Sequence, residues 1–209
     1  MFSSEVFDRW AKDYDETVRA CAVQGEYPFA GYFDALDQLF TLADSRRGAS
    51  VLDLGFGTAA LTRRLWEQGH PITGVDFSPE MVAIAAAKMP GAELYRFDFA
   101  AGLPPELDGR RFDFIVASYA LHHLTDPQKY AFLRTLRGRL NPDGAVLIAD
   151  LCFPTRAALE ECRAAYGDEW DDGEYYFVEA ELRAALPEYH LDAIPVSFCG
   201  DVLILSPED

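Results

Sequence analysis

The sequence predicts an α/β fold: a mostly parallel, doubly wound sheet of seven strands with helices on both faces, a helical cap before it and an antiparallel hairpin at its C-terminal end. Three observations carry this. Short apolar runs alternate with helix-period segments from residue 49 to 149, and strands covered on both faces read as such runs. Gly55-Phe-Gly57 makes a tight turn between the first run and the helix-period segment after it. Finally, the strand-like segments Tyr189–Phe198 and Asp201–Ser206 are linked only by Cys199-Gly200, which leaves no room for a crossover helix and forces antiparallel pairing.

Taken in order, residues 3–22 place Val6, Phe7, Trp10, Tyr14, Val18 and Cys21 at helical spacing among charged residues, an amphipathic helix resting on something. A second helix is expected over Phe29–Leu42, ended by Arg46-Arg47-Gly48. Strand 49–54 leads to a helix from about Thr58 to 68, and strand 71–76 leads to one opening at Ser78-Pro79, a good N-cap with proline at the first helical position. Strand Ala92–Phe97 runs into a Pro/Gly loop. Strand Phe112–Ala117, helix 126–140, the turn Asn141-Pro-Asp-Gly144 and strand Ala145–Ala149 complete the alternation. Residues 155–167 and 178–186 read as helices flanking the acidic-aromatic stretch Asp168–Tyr176. One domain is expected: a cap over 1–44, a core over 49–151, a further cap over 152–188 and the hairpin over 189–209.

Composition narrows the functional classes. The 209 residues carry a formal charge of −17, which argues against a nucleic-acid backbone or an anionic membrane as partner. No apolar run reaches membrane-spanning length, and the first twelve residues are amphipathic, unlike a signal peptide. Cys21, Cys152, Cys162 and Cys199 form no C-x-x-C pair and no ligand-spaced cluster with the four histidines. Free thiols in a reducing cytoplasm are therefore expected, and no metal site.

The chemistry concentrates at strand ends. Gly55-x-Gly57-x-x-Ala60 fits a dinucleotide-type turn, where missing Cβ atoms admit a ligand and helix-start amides receive its polar groups. Asp76 follows about 20 residues on, where an acid would accept hydrogen bonds from ribose hydroxyls. Asp98 ends the next strand, at the same edge of an open sheet. Either acid alone could be a helix cap; two on successive strands favour a ligand. Asp53 stands inside an apolar strand, where a carboxylate must be satisfied.

These residues resemble the class I S-adenosylmethionine-dependent methyltransferases, and the resemblance covers most of the chain. Asp53-Leu-Gly-Phe-Gly-Thr58 is similar to the family's first motif, Val75-Asp76 to its ribose acid, and Phe97-Asp98-Phe99 to the motif meeting adenine. Phe112-Asp-Phe-Ile-Val-Ala-Ser-Tyr-Ala-Leu-His-His-Leu124 resembles the motif beside the transferred methyl group, and Asn141-Pro-Asp-Gly144 the next landmark. Ala59 departs from the family's third glycine. The resemblance implies a Rossmann-like fold and S-adenosylmethionine as cofactor, held by Tyr14, Asp53, Gly55, Gly57, Asp76, Phe77, Asp98, Phe99 and Ser118. Trp10, Tyr119, His123, Tyr175 and Tyr176 would line the acceptor pocket. More narrowly, Trp10-Ala-x-x-Tyr14-Asp15, Tyr119–Leu124 and Glu174-Tyr-Tyr176 resemble a bacterial branch whose genes often neighbour those of methionine and cysteine recycling.

His122, His123 and Tyr14 are the catalytic candidates. A histidine after a strand is more often packing or cap than base, and adjacent histidines diverge, so at most one faces the site. A base is needed only where the acceptor must lose a proton. Trp10 and Tyr14 read as a hydrophobic stripe by default, although an aromatic face suits a sulfonium. The expected activity is methyl transfer to a small-molecule acceptor. The rivals are a nicotinamide-dependent oxidoreductase, opposed by the hairpin, and a non-catalytic binding protein with the same cofactor site.

Overall fold

The structure is a computed structural model that describes residues 22–208; the expected first helix, with Trp10 and Tyr14, lies outside the described residues. After a helical end at residues 22–24, helix α1 spans Tyr32–Ala43. It buries Ala35, Leu36, Leu39 and Ala43, one face at helical spacing. Then alternate β1 (Val51–Leu54), α2 (Thr62–Glu67), β2 (Ile72–Asp76), α3 (Pro79–Lys88), β3 (Glu93–Arg96), β4 (Phe112–Ser118), α4 (Asp126–Arg137) and β5 (Leu140–Phe153). Helix α5 (Arg156–Tyr166), the two-residue strand β6 (Phe177–Val178), α6 (Glu179–Ala185), β7 (Tyr189–Pro195) and β8 (Gly200–Pro207) complete the chain.

The main sheet runs β3-β2-β1-β4-β5-β8-β7, with β6 paired off this path to β5. β1 to β5 are parallel, whereas β8 pairs antiparallel with both β5 and β7. The expected seven-stranded sheet and terminal hairpin are therefore present. Side chains alternate between the faces. Phe114, Val116 and Leu147 join α1 and Leu65 in one core; Ile115, Ala117, Ile148 and Leu203 join Leu133 and Leu136 in the other. Each such leucine, fully buried, contributes about 1.5–3 kcal/mol.

Several boundaries move, each for a local reason. Helix α2 starts at Thr62 instead of Thr58, because Gly55, Gly57 and Ala59 all take positive φ (74°, 51° and 65°) and keep the chain non-helical. Strand β5 continues backwards through the expected turn at 141–144. Leu140 pairs with Phe112, and the ladder resumes at Phe114 with Ala145 after a shift in register. Gly144 lets the backbones close there, since a Cβ would meet the carbonyl oxygens of Asn141 and Asp113 at 2.9 Å. The hairpin link spans residues 196–199 instead of two residues. Strand β6 is too short to show any period.

Chain reversal places the site. β1 sits between β2 and β4, so the connections leave it in opposite directions and open a crevice at the carboxyl ends of the strands. Register does the rest. Leu54 pairs with Val75 on one side and with Ala117 on the other, which brings Gly55, Asp76 and Ser118 to one level. Ser118 pairs with Ala149, so Tyr119 emerges beside Asp150 of β5.

Candidate active site

The groove at this edge is lined by Gly55, Gly57, Asp76, Phe77, Ser118, Tyr119 and His123, together with Tyr32 and Phe99. At Gly55 a Cβ would stand 2.6 Å from that of Ala120, so only glycine fits, whereas at Gly57 a Cβ would meet nothing within 4 Å. Gly57 thus leaves open space beside the turn. Its N–H donates to Asp76 Oδ2 at 2.9 Å, and the Ser78 N–H donates to Oδ1 at 2.9 Å. Asp76 therefore ties the glycine turn to the end of β2. Ser78 also caps α3 by accepting the Met81 N–H, with Pro79 following it, as its sequence context predicts.

A second cavity of about 540 Å³ adjoins the groove. Phe77, Phe99 and His123 are common to both walls; Asp98, Gln128 and Tyr175 belong to the second. Asp98 also caps a short 3-10 turn through the Ala100 N–H at 2.9 Å, so the cap and ligand readings of this acid are compatible. Asp53 differs from the other two acids. It is fully buried and absent from both walls. Thr62 Oγ1 donates to its Oδ2, while Oδ1 has no hydrogen-bond partner among the described residues. Burial pushes its pKa up to about 7, the Thr62 bond opposes this, and nearby Asp76 adds to it.

The two histidines separate. His122 is buried and its Nδ1 lies 2.6 Å from Asp150 Oδ1. Asp150 also accepts the N–H groups of Leu121 (3.1 Å), His122 (3.2 Å) and Leu151 (2.9 Å). Burial alone would raise the Asp150 pKa, yet His122 and these bonds hold it below the usual carboxylate range. Burial likewise disfavours the imidazolium of His122, but Asp150 outweighs it and raises the pKa. His123, on both cavity walls, is pushed down to about 3 by burial and by His122, so its imidazole is neutral.

Of the expected pocket aromatics, Tyr119 lines the groove and Tyr175 the second cavity. Tyr176 is on neither wall. It is buried against Tyr27 and lines a third crevice, together with Glu174. Tyr119 has φ 49°, a left-handed conformation uncommon for a bulky residue, held by its N–H to Ala149 O at 2.8 Å. Asp150 and Glu174 were not singled out from the sequence as site residues. Asp150 stands inside an apolar strand as Asp53 does, and that signal is present in the sequence. Glu174 belongs to a loop and is brought to the histidines only by folding: Tyr175 donates its N–H to His122 O at 2.8 Å. His70, buried between Ala49 O and Asp44 at 3.0 Å each, is a packing histidine.

The fold and this edge define a class, the methyltransferases of Rossmann-like architecture, and the comparisons with known proteins agree. A family model described as a methyltransferase domain matches residues 51–144. An uncharacterized methyltransferase of Geobacillus kaustophilus is 34% identical over 194 residues, covering 89% of this chain and 86% of its own. The uncharacterized methyltransferase YrrT of Bacillus subtilis is 33% identical, covering 75% and 70%. Among solved structures, magnesium protoporphyrin IX methyltransferase (ChlM) from Synechocystis with bound S-adenosylhomocysteine superposes with a TM-score of 0.70 at 20% identity, covering 97% of this chain and 98% of its own. DhpI, in a complex named for S-adenosylmethionine and HEP, superposes with a TM-score of 0.67 at 23% identity, covering 94% and 97%. This chain belongs to the class I S-adenosylmethionine-dependent methyltransferases, and its cofactor is S-adenosylmethionine.

Proposed function

We propose that the enzyme methylates a small-molecule acceptor, with the cofactor held across the groove and the adjoining cavity. When bound, the cofactor supplies an electrophilic methyl group on a sulfonium. Asp76 would accept the ribose hydroxyls, and Phe77 and Phe99 would flank the adenine with Asp98 at its amine. Gly55, Gly57 and Ser118 would admit the methionine end. The orphaned Asp53 Oδ1 behind the glycine turn would offer a hydrogen-bond acceptor toward that end's ammonium through water. The observation that carries this reading is the shared level of Gly55, Asp76 and Ser118, set by strand register at the crevice where the sheet reverses.

Tyr119, Tyr32 and His123 would enclose the acceptor side of the groove. Most of the acceleration would then come from orientation and exclusion of water. His123, neutral with its pKa pushed down to about 3, is a poor proton acceptor and would serve by orienting the acceptor through hydrogen bonding. The small-molecule assignment is supported by the name of the protoporphyrin methyltransferase sharing the fold. Likeness to the uncharacterized methyltransferases of Geobacillus kaustophilus and Bacillus subtilis supports placement in a bacterial branch.

Isothermal titration with S-adenosylhomocysteine tests the cofactor assignment. The wild-type protein is expected to bind it. Asp76→Ala, which removes the ribose acceptor and loosens the glycine turn, is expected to weaken binding by about 100-fold, on the order of 2.7 kcal/mol. Equal affinity in a folded D76A variant would overturn this role.

A further inference from the structure

His122, His123 and Glu174 come from two distant parts of the chain, yet one nitrogen or oxygen from each lies within 4.8 Å of the others. We propose that these three residues bind one divalent transition-metal ion of borderline softness, zinc or cobalt, beside the cofactor groove.

The distances suit an ion better than the contacts the residues make with one another. His122 Nε2 and His123 Nδ1 face the same carboxylate oxygen, Glu174 Oε1, at 3.5 and 4.0 Å. Both separations exceed the roughly 2.7–3.2 Å of an N–H···O bond. Ligands bound at about 2.0–2.2 Å around a tetrahedral ion stand about 3.3–3.6 Å apart, so closure onto an ion needs shifts of less than about 1 Å at these two pairs.

The outer shell is already built. Asp150 Oδ1, 2.6 Å from His122 Nδ1, favours the tautomer with its proton on Nδ1 and the lone pair of Nε2 facing Glu174. Asp150 is itself fixed by three backbone N–H groups, so the ring has little freedom to turn. On the other side, the Tyr176 hydroxyl donates to Glu174 Oε2 at 2.9 Å and leaves Oε1 toward the histidines. The Tyr175 N–H to His122 carbonyl bond clamps the Glu174 loop to the histidine turn. Two neutral imidazoles and one carboxylate are a familiar donor set for zinc, cobalt and iron. His123 is also part of the groove wall, so an ion here would meet the acceptor side. Its remaining positions would take water or an acceptor oxygen, nitrogen or sulfur, whose proton it would make easier to lose. The rival occupant is a proton shared by His122 and Glu174.

The test uses the full-length protein stripped with a chelator, then titrated calorimetrically with Zn²⁺, and with Co²⁺ monitored by its visible ligand-field absorption. We expect one ion per chain and a cobalt spectrum typical of low coordination number. Glu174→Gln, nearly isosteric, and His123→Ala should each weaken binding at least about tenfold. His190→Ala should leave it unchanged; His190 is exposed beside Asp192 and Glu208, the obvious place for adventitious binding. Absence of stoichiometric binding overturns the proposal, as does binding insensitive to E174Q and H123A or abolished by H190A. Circular dichroism establishes that the variants are folded. S-adenosylhomocysteine binding, measured on the same samples, separates the two readings: failure of metal binding with intact nucleoside binding overturns only this inference.

Discussion

Gly55 and Asp53 show how much a single position can decide. Gly55 has φ 74° and a neighbour that would stand 2.6 Å from any Cβ. Gly55→Ala combines left-handed strain of about 1–2 kcal/mol with overpacking of about 1–3 kcal/mol. A loss of roughly 2–5 kcal/mol in urea unfolding is expected, against about 1–2 kcal/mol for Gly57→Ala, where space is open and only the left-handed strain remains. Asp53 makes a pH prediction. Its carboxyl has a folded-state pKa near 7 against an ordinary value of 3.8, so the folded state holds its proton more tightly. That contribution is fully present below about pH 4 and is lost as pH rises to about 7, up to roughly 4 kcal/mol at about 1.4 kcal/mol per unit. Asp53→Asn should abolish this fall, so urea midpoints of variant and wild type should diverge between pH 4.5 and 7.5, with the variant the more stable at the higher pH. Parallel pH profiles would show that Asp53 is not the group responsible.

At the scale of elements, ends were harder to read than existence. Helix α3 was legible to its first residue because Ser78 and Pro79 state the cap chemically, and the structure has Ser78 Oγ accepting the Met81 N–H at 3.2 Å. Ser78→Ala should cost about 1 kcal/mol, measured as a shift in the urea midpoint, with the bond of Asp76 to the Ser78 N–H retained. Helix α2 is several residues shorter than its sequence pattern suggests, because positive φ at Ala59 is invisible in an alanine. Strand β5 is longer than its sequence pattern suggests: Asn-Pro-Asp-Gly carries every mark of a turn, yet Gly144 lets the strand pass close to its neighbour.

For the whole molecule, the formal charge of −17 disfavours a nucleic-acid backbone as partner, and no helix among the described residues is long and apolar enough to cross a membrane. The groove depends on the complete sheet. β1 must lie between β2 and β4 for the crevice to open, and the helical faces must cover both sides for its strand ends to be dry.

The sequence by itself determined the α/β alternation, the terminal hairpin, the glycine turn and the acids Asp76 and Asp98 at one edge. These depend on local periodicity, on chain reversal too short for a crossover, and on residue types that turns demand. Only the tertiary structure decided that Asp53 lies behind the turn instead of on the groove wall, that His123 faces the groove while His122 turns inward to Asp150, and that Glu174 joins them. The physical reason is that strand register and loop docking set these contacts between residues far apart along the chain, where local sequence patterns carry no distance information.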